Sequence, residues 1–114
     1  MSHFNRLPEF EKELKKLIKK YRSLEQDLKV LEQILETVPT GIGTNFTIIH
    51  RTKDVEIVKT RLACASLRDR SVRVIYAYHK NVISFMYIEM YFKGDKRNED
   101  FERIKNYIKN LESE

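Results

Sequence analysis

Basic residues recur between Lys59 and Arg97, and six of the nine lie within or soon after segments that look like strands. Apolar, β-branched and aromatic residues fill the segments around them, which is typical of buried β-strands. Because a permanently charged side chain is costly to bury in a sheet, cations on adjacent strands indicate a shared exposed face. Such a face suits an anionic ligand, so the sequence predicts a small basic sheet that holds RNA, with helices packed behind it. The six residues are Lys59, Arg61, Arg73, Lys93, Lys96 and Arg97.

Alternation of side chains assigns the cations to predicted β-strands. A strand from Val55 to Ala65 directs Lys59 and Arg61 to one face and Cys64 to the core side. The strand from Val82 to Phe92 is apolar on both faces, which indicates a central position. A strand from Ser71 to His79 precedes it, and Lys80-Asn81 is predicted to form the hairpin turn between the two.

Two further segments extend this sheet. The stretch from Ser2 to Leu7 fits either an edge strand or a loose lead-in. The β-branched and aromatic stretch from Phe46 to His50 is a candidate for an extra strand, which Thr52-Lys53-Asp54 would turn into the next one.

Helical signals flank the strands. Pro8 suits the first position of an amphipathic helix that carries Phe10, Leu14 and Leu17. Ser23 and Gln26 fit a capping box at the start of a second helix. Asn98 is predicted to start a third helix. The second helix carries an apolar stripe of Leu24, Leu28, Leu31, Leu35 and Val38, widened by Val30 and Ile34, and the third carries Phe101, Ile104, Ile108 and Leu111.

The predicted fold is therefore α+β: an N-terminal helical hairpin on a three- to five-stranded, mostly antiparallel sheet, with a C-terminal helix. At 114 residues, the chain from 1 to 114 is expected to be a single domain. A net charge of +5 suggests a polyanionic partner. The single cysteine excludes an intramolecular disulfide and a multi-cysteine zinc site. No apolar run or signal peptide points to a membrane, so a cytoplasmic protein is expected.

Five segments carry a family resemblance. They are FEKELKKLIKKY (from Phe10), SLEQDLKVLEQIL (from Ser23), KTRLA (from Lys59), SVRVIYAY (from Ser71) and YFKGDKRNEDF (from Tyr91). In this order and spacing they resemble the RelE/ParE superfamily of bacterial toxins from type II toxin–antitoxin modules. The chain departs from the family in its curtailed N-terminal strand and in its added segment from Phe46 to Val55.

The resemblance implies two activities and one partner. RelE-like members are ribosome-dependent endoribonucleases, or mRNA interferases, which inhibit translation by cutting mRNA in the decoding site. ParE-like members share the fold but poison DNA gyrase, and a degenerate nucleic-acid-binding relative is a further alternative. Each toxin is neutralised by a cognate antitoxin protein. No metal or other cofactor is implied.

The resemblance also implies site residues. Arg73 matches the family's strand arginine and would grip the scissile phosphate, since a guanidinium is planar and always charged. Lys59 and Arg61 match paired strand cations that would position the RNA backbone, with Lys96 beside them. Lys93 and Arg97 fall near another catalytic cation. A solvated or structural role, such as Arg73 pairing with Asp69 or Glu89, is the competing interpretation.

The proton-transfer group is the open point. Phe101 occupies the place of the family's C-terminal-helix tyrosine, and phenylalanine cannot transfer a proton. Tyr91 either takes that role or is a packed aromatic residue. His50 is a candidate acid or base if the added strand folds over the basic face, while His79 is expected at the surface.

Overall fold

The computed structural model describes residues 3–65 and 72–112, and it contains five strands and three helices. No helix in these ranges is long and apolar enough to cross a membrane. The elements are β1 (Phe4–Arg6), α1 (Pro8–Ile18), α2 (Leu24–Thr37), β2 (Phe46–Arg51), β3 (Val55–Leu62), β4 (Val72–His79), β5 (Ser84–Phe92) and α3 (Phe101–Glu112).

The five strands form one sheet in the order β1-β5-β4-β3-β2. Only β1 pairs in parallel, with β5, and the other three pairings are antiparallel. The predicted α+β architecture is therefore confirmed, with β1 as an edge strand and β2 as the extra strand at the opposite edge. The interior position of β5 is also confirmed, because its apolar residues are covered on both faces of the sheet.

The α1–α2 hairpin packs on one face of the sheet. Leu14, Leu28, Leu31 and Leu35 are buried there, as the helical periodicity predicts, whereas Leu17 is only half-buried. Pro8 occupies the first turn of α1, as predicted. The strands contribute alternate side chains to this core, namely Val58, Leu62, Val72, Val74, Tyr76, Phe85, Tyr87 and Met90.

Helix α3 packs on the opposite face and builds a second, smaller core. Ile104 lies against Ile57, Ile75 and Ile88. The prediction that all helices lie behind the basic face is therefore wrong for α3. The face that bears Lys59 and the other strand cations also has apolar residues along β3, β4 and β5, and α3 covers those.

The predicted capping box of α2 is wrong. Ser23 has helical backbone angles (φ −79°, ψ −4°), whereas a capping side chain needs an extended backbone. Its hydroxyl instead donates to Asp27 Oδ2 at 2.7 Å, and the Ala65 N–H donates to the same carboxylate. Asp27 thus connects α2 to the residues after β3, which ends at Leu62 rather than at Ala65.

The start and the apolar stripe of α3 also differ from the prediction. Asp100, not Asn98, caps the helix, since its Oδ1 accepts the Arg103 N–H at 3.0 Å. Ile104 is buried, but Phe101 is 63% exposed. Phe101 lies at the margin of the stripe, beside β2, so the sheet does not cover its ring.

Three other predictions are wrong, namely those for the apolar stripe of α2, for the β4–β5 turn and for the start of β5. Val30 and Ile34 do not widen the core stripe of α2, because they are 47% and 43% exposed. The β4–β5 hairpin has a four-residue loop from Lys80 to Ile83 rather than a two-residue turn. Val82 is exposed in that loop, and Ile83 has φ +50°, which is strained for a β-branched residue.

Candidate functional site

A polar cleft of about 210 Å³ opens on the α3 side of the sheet, next to the area that α3 covers. Four cations and three neutral polar residues line it. We call it the basic cleft, and its lining residues are Thr44, Asn45, Thr47, Lys59, Arg61, Arg73 and Lys93.

Strand register brings the cations together. Arg61 on β3 lies opposite Arg73 on β4, and Arg73 lies opposite Tyr91 on β5. Residues opposite each other in a sheet share a face, so these three side chains form a row across three strands. In the next row, Lys59 lies opposite Thr47 of the added strand. Lys59, Arg61 and Arg73 are therefore held by strands, whereas Lys93 comes from the turn directly after β5.

Arg73 is the most enclosed of the four cations, with 6% of its surface exposed. It lines the basic cleft, but it does not stand out into solvent as expected for a surface cation. Charge interactions are stronger where water is excluded. An anion that contacted Arg73 would therefore interact with it in a water-poor environment.

Lys59 is held at the cleft by a carboxylate from the segment before α3. Its Nζ lies 3.0 Å from Oε1 of Glu99, which is largely buried. Burial acts to lower the pKa of Lys59, but the hydrogen bond to Glu99 and the charges of Tyr91 and Glu99 outweigh it, so the pKa is raised. Lys59 therefore stays protonated, with part of its charge balanced by Glu99.

Lys96 and Arg97 lie outside the basic cleft. The Lys96 ammonium forms an ion pair with Glu89 Oε2 and lies 5.3 Å from the Tyr91 ring centroid. Glu89 is fully buried, and its Oε1 accepts the Asp100 N–H at 2.8 Å. Glu89 therefore fixes the segment between β5 and α3 to the sheet. Arg97 is exposed in that segment and does not line the cleft.

Tyr91 is a packed aromatic residue by its position, since only 5% of its surface is exposed. Its hydroxyl is buried without a hydrogen bond of ideal geometry, and Lys59 is the charged neighbour that interacts with it. Burial raises the pKa of Tyr91, an effect that the charge of Lys59 opposes. Phe101, which the sequence resemblance aligns with a family tyrosine, lines a different groove between β2 and α3.

The histidines are separate from the basic cleft. The prediction for His79 is partly wrong, because it is half-buried and its Nε2 lies 2.6 Å from the Tyr107 hydroxyl. Burial lowers the pKa of His79. The added strand extends the sheet instead of folding over the basic face. It brings Thr47 to the cleft and His50 to the groove beside α3.

Sequence reasoning missed four residues of this region. Thr44, Asn45 and Thr47 line the basic cleft from the added strand and the loop before it, and Glu99 holds Lys59. The sequence does contain a signal for Thr47. Side chains alternate along a strand, so Thr47 faces the opposite side of the sheet from Phe46 and Ile48. No sequence pattern connects Glu99 with a lysine forty positions earlier.

The chemistry available in the basic cleft is anion binding and charge stabilisation. Among the described residues that line it there is no carboxylate, imidazole or phenol, which are common general acids and bases. Within residues 3–65 and 72–112, no group of three or more His, Cys, Asp or Glu side chains is arranged to hold a metal ion. Cys64 is buried on the core side, as predicted.

The sheet, the helical hairpin and the C-terminal helix together define a RelE-like fold. A chain in the crystal structure of the archaeal RelE–RelB complex from Pyrococcus horikoshii OT3 is similar to this protein, with a TM-score of 0.63. The similarity covers 83% of this chain and 98% of that chain, at 18% sequence identity. No protein-family model and no curated protein matches the sequence. The structural likeness confirms the fold that the sequence resemblance implied.

Proposed function

We propose that this protein is the toxin of a toxin–antitoxin module and acts as a ribosome-dependent, metal-independent mRNA endoribonuclease. The observation that carries the proposal is the basic cleft, where two strands of a RelE-like sheet and the turn after β5 bring together Lys59, Arg61, Arg73 and Lys93. RNA cleavage through the 2′-hydroxyl passes through a phosphorane that is more negative than the starting phosphate. Fixed cations around it therefore lower the barrier.

The exposure of each cation to solvent suggests its role. Arg73 would contact the scissile phosphate, because it is enclosed and its guanidinium can bridge two phosphate oxygens. Lys93 also lines the cleft but is exposed, and it would neutralise charge on the reacting group. Lys59 and Arg61 would position the RNA backbone. Arg97 and Lys96 lie outside the cleft, so any role of theirs depends on contacts made there.

The proposed partner is an antitoxin protein. The similar chain comes from a RelE–RelB complex, and this chain carries a net charge of +5. An acidic protein that covers the basic cleft would block access of RNA. Co-purification with the product of an adjacent reading frame tests this partnership directly, whereas harmless expression of the protein alone would contradict it.

A second candidate function rests on the absence of an acid in the basic cleft. Its described lining has no group to protonate the leaving oxygen, and Tyr91 has a buried hydroxyl. These observations favour a relative that binds without cutting, either as a gyrase inhibitor or as a degenerate nucleic-acid-binding protein.

Induction in growing cells separates the functions. We expect an early fall in amino-acid incorporation and new 5′ ends within ribosome-bound message, mapped by primer extension. Lys93→Ala and Arg61→Ala should each reduce this cleavage. Lys12→Ala, an equivalent exposed-lysine substitution on α1 away from the cleft, is the control and should cut like the parent.

Other outcomes contradict the nuclease proposal in distinguishable ways. A DNA-damage response without loss of message would support gyrase inhibition. Normal growth with a folded, soluble protein would support a degenerate relative.

A further inference from the structure

The ion pair between Lys59 and Glu99 connects the basic cleft to the segment that precedes α3. We propose that Glu99 is a positioning residue, which holds the Lys59 ammonium in the geometry that the transition state of RNA cleavage requires. The inference rests on the proposed function, because it assigns a role in that same reaction. It adds a residue outside the cleft to the residues that line it.

The sheet holds Lys59 by its backbone. Lys59 lies in β3 with a paired strand on each side, opposite Thr47 of β2 and Ile75 of β4. Strand pairing fixes where the side chain starts, but a flexible four-carbon stem separates the ammonium from the backbone. Catalysis loses much of its rate when a charged group is misplaced by a small distance. The ammonium of Lys59 therefore needs a second contact at its charged end.

Glu99 supplies that contact from a fixed position. Its Oε1 lies 3.0 Å from the Lys59 ammonium, and its side chain is only 9% exposed. The next residue, Asp100, donates its N–H to the buried Glu89 carboxylate at 2.8 Å, and its Oδ1 accepts the Arg103 N–H at 3.0 Å. Since Glu99 directly precedes a residue with two such contacts, its carboxylate has little freedom to follow a moving lysine.

Glu99 is not part of the cleft lining. Lys59 lines the basic cleft, whereas Glu99 lines the groove between β2 and α3. A carboxylate that faced a phosphate would repel it, but a carboxylate that binds an ammonium from outside the cleft orients that ammonium instead. An ammonium has three N–H donors, of which Glu99 and the Tyr91 hydroxyl engage at most two. Donor capacity therefore remains for a phosphate oxygen.

Two effects of Glu99 on the cleft oppose each other. Its negative charge offsets part of the Lys59 charge, which weakens the attraction of the cleft for RNA in the ground state. Its hydrogen bond keeps the ammonium protonated and in place, because burial alone would lower the pKa of Lys59. Only contacts that strengthen in the transition state accelerate the chemical step. A positioning role therefore predicts that Glu99 lowers the affinity for RNA but raises the rate of cleavage.

Glu99→Gln tests this prediction, because glutamine keeps the shape and a carbonyl oxygen for Lys59 but removes the charge. We expect single-turnover cleavage of ribosome-bound message at saturating protein to slow by about 10- to 100-fold. Binding of a short single-stranded RNA should stay equal or become tighter. Glu99→Asp keeps the charge but shortens the side chain, so it should cut faster than Glu99→Gln and more slowly than the parent.

Glu56→Gln is the matched control. Glu56 is also a largely buried carboxylate in an ion pair, with Arg51 of β2, and the alternation along β3 places it on the opposite face from Lys59. Its substitution removes the same charge without reaching the cleft. Glu56→Gln should therefore cut ribosome-bound message like the parent.

Two further measurements separate positioning from a structural role. NMR titration of the Lys59 side chain, in the protein alone, should give a lower pKa in Glu99→Gln than in the parent, because the pair raises the pKa of Lys59. In a protein that already carries Lys59→Met, Glu99→Gln should slow cleavage no further, because the residue through which it acts is absent.

The outcomes are distinguishable. Cleavage by Glu99→Gln at the parental rate, or loss of cleavage and RNA affinity together, would overturn the inference while the cutting parent upholds the proposed function. Faster cleavage with tighter RNA binding would also overturn it, since Glu99 would then be inhibitory. If Glu99→Gln does not fold, Glu99→Asp decides by the same comparison of rate and affinity. A parent protein that cuts no message would contradict the proposed function, and the inference would fall with it.

Discussion

At the scale of single residues, burial and contacts distinguish side chains that look alike in the sequence. Arg61 and Arg73 are both strand arginines, and they lie opposite each other, yet Arg61 is exposed and Arg73 is buried. Tyr76 and Tyr91 are both buried tyrosines, but the Tyr76 hydroxyl donates to the Pro39 carbonyl at 2.9 Å, whereas the Tyr91 hydroxyl makes no hydrogen bond of ideal geometry. These differences lead to two predictions.

Arg73→Ala should lower cleavage of ribosome-bound message by a factor of about 10²–10³, the effect of removing one charge-stabilising donor. Arg73→Lys should restore little, because a point charge cannot bridge two phosphate oxygens. Primer extension with purified ribosomes measures the rate, and melting curves on the same samples show whether the variant folds. Cleavage at the parental rate, or simple unfolding, would make Arg73 a structural residue.

Tyr91→Phe should lower the free energy of unfolding by less than Tyr76→Phe does, because the buried Tyr91 hydroxyl interacts with Lys59 but makes no hydrogen bond of ideal geometry. Tyr76→Phe is the control, and it should lose about 1–3 kcal/mol since the Pro39 carbonyl is left unsatisfied. Urea denaturation measures both variants. If Tyr91→Phe is as destabilised as Tyr76→Phe, the Tyr91 hydroxyl makes a full hydrogen bond in solution.

At the scale of elements, the two faces of the sheet have different functions. The α1–α2 hairpin covers the larger core on one face, and α3 covers the smaller core on the other. The basic cleft and the groove between β2 and α3 both adjoin the Lys59–Glu99 pair. Stability should therefore depend mainly on the hairpin face, while α3 should be the more sensitive to local conditions.

Leu31→Ala should reduce the free energy of unfolding by about 2–5 kcal/mol, because it opens a cavity between α2 and the sheet. Val30→Ala, one position earlier in the same helix, is the matched control. Val30 is 47% exposed, and its substitution should change stability by about 0.5 kcal/mol or less. Equal melting temperatures for the two variants would contradict the packing of α2.

His79 should make the attachment of α3 dependent on pH. Burial lowers its pKa below the ordinary value of 6.5, so the unfolded chain binds the proton more readily than the folded chain. The contribution of neutral His79 to stability is complete above about pH 6.5 and is lost as the pH falls toward the lowered value. Comparing parent and His79→Gln by urea denaturation between pH 5 and 8 isolates this term. Parallel curves would show that His79 does not titrate differently on folding.

At the scale of the whole molecule, carboxylates balance some of the positive charges and leave others unbalanced. Several cations are balanced by carboxylates, including Arg6, Lys59, Lys96 and Arg103, whereas the basic cleft also presents exposed Arg61 and Lys93. A polyanion should therefore bind at the cleft more strongly than at other surfaces.

Binding of a short single-stranded RNA should weaken as salt is added, because bound phosphates release counterions. Arg61→Ala should reduce the slope of log affinity against log salt by about one unit. Fluorescence anisotropy measures the slope, and Lys53→Ala, an exposed cation in the β2–β3 turn, serves as the control. Equal slopes for the two variants would place RNA elsewhere on the molecule.

Periodicity by itself determined the element types, the faces of β3 and β4, and the core stripes of α1 and α2, because burial imposes a repeat of two on strands and 3.6 on helices. Charge and strand spacing also indicated the cations that line the basic cleft. Local signals failed where a competing contact existed, as at Ser23, whose hydroxyl binds Asp27.

The tertiary structure alone decided the order of the strands, the position of α3 on the basic face and the pairing of Lys59 with Glu99. It also decided that Phe101 borders a groove beside β2 rather than entering the core or the basic cleft. These features depend on contacts between residues far apart in the chain. Such contacts leave no periodic pattern, because their geometry is fixed only when the sheet and its two helical layers come together.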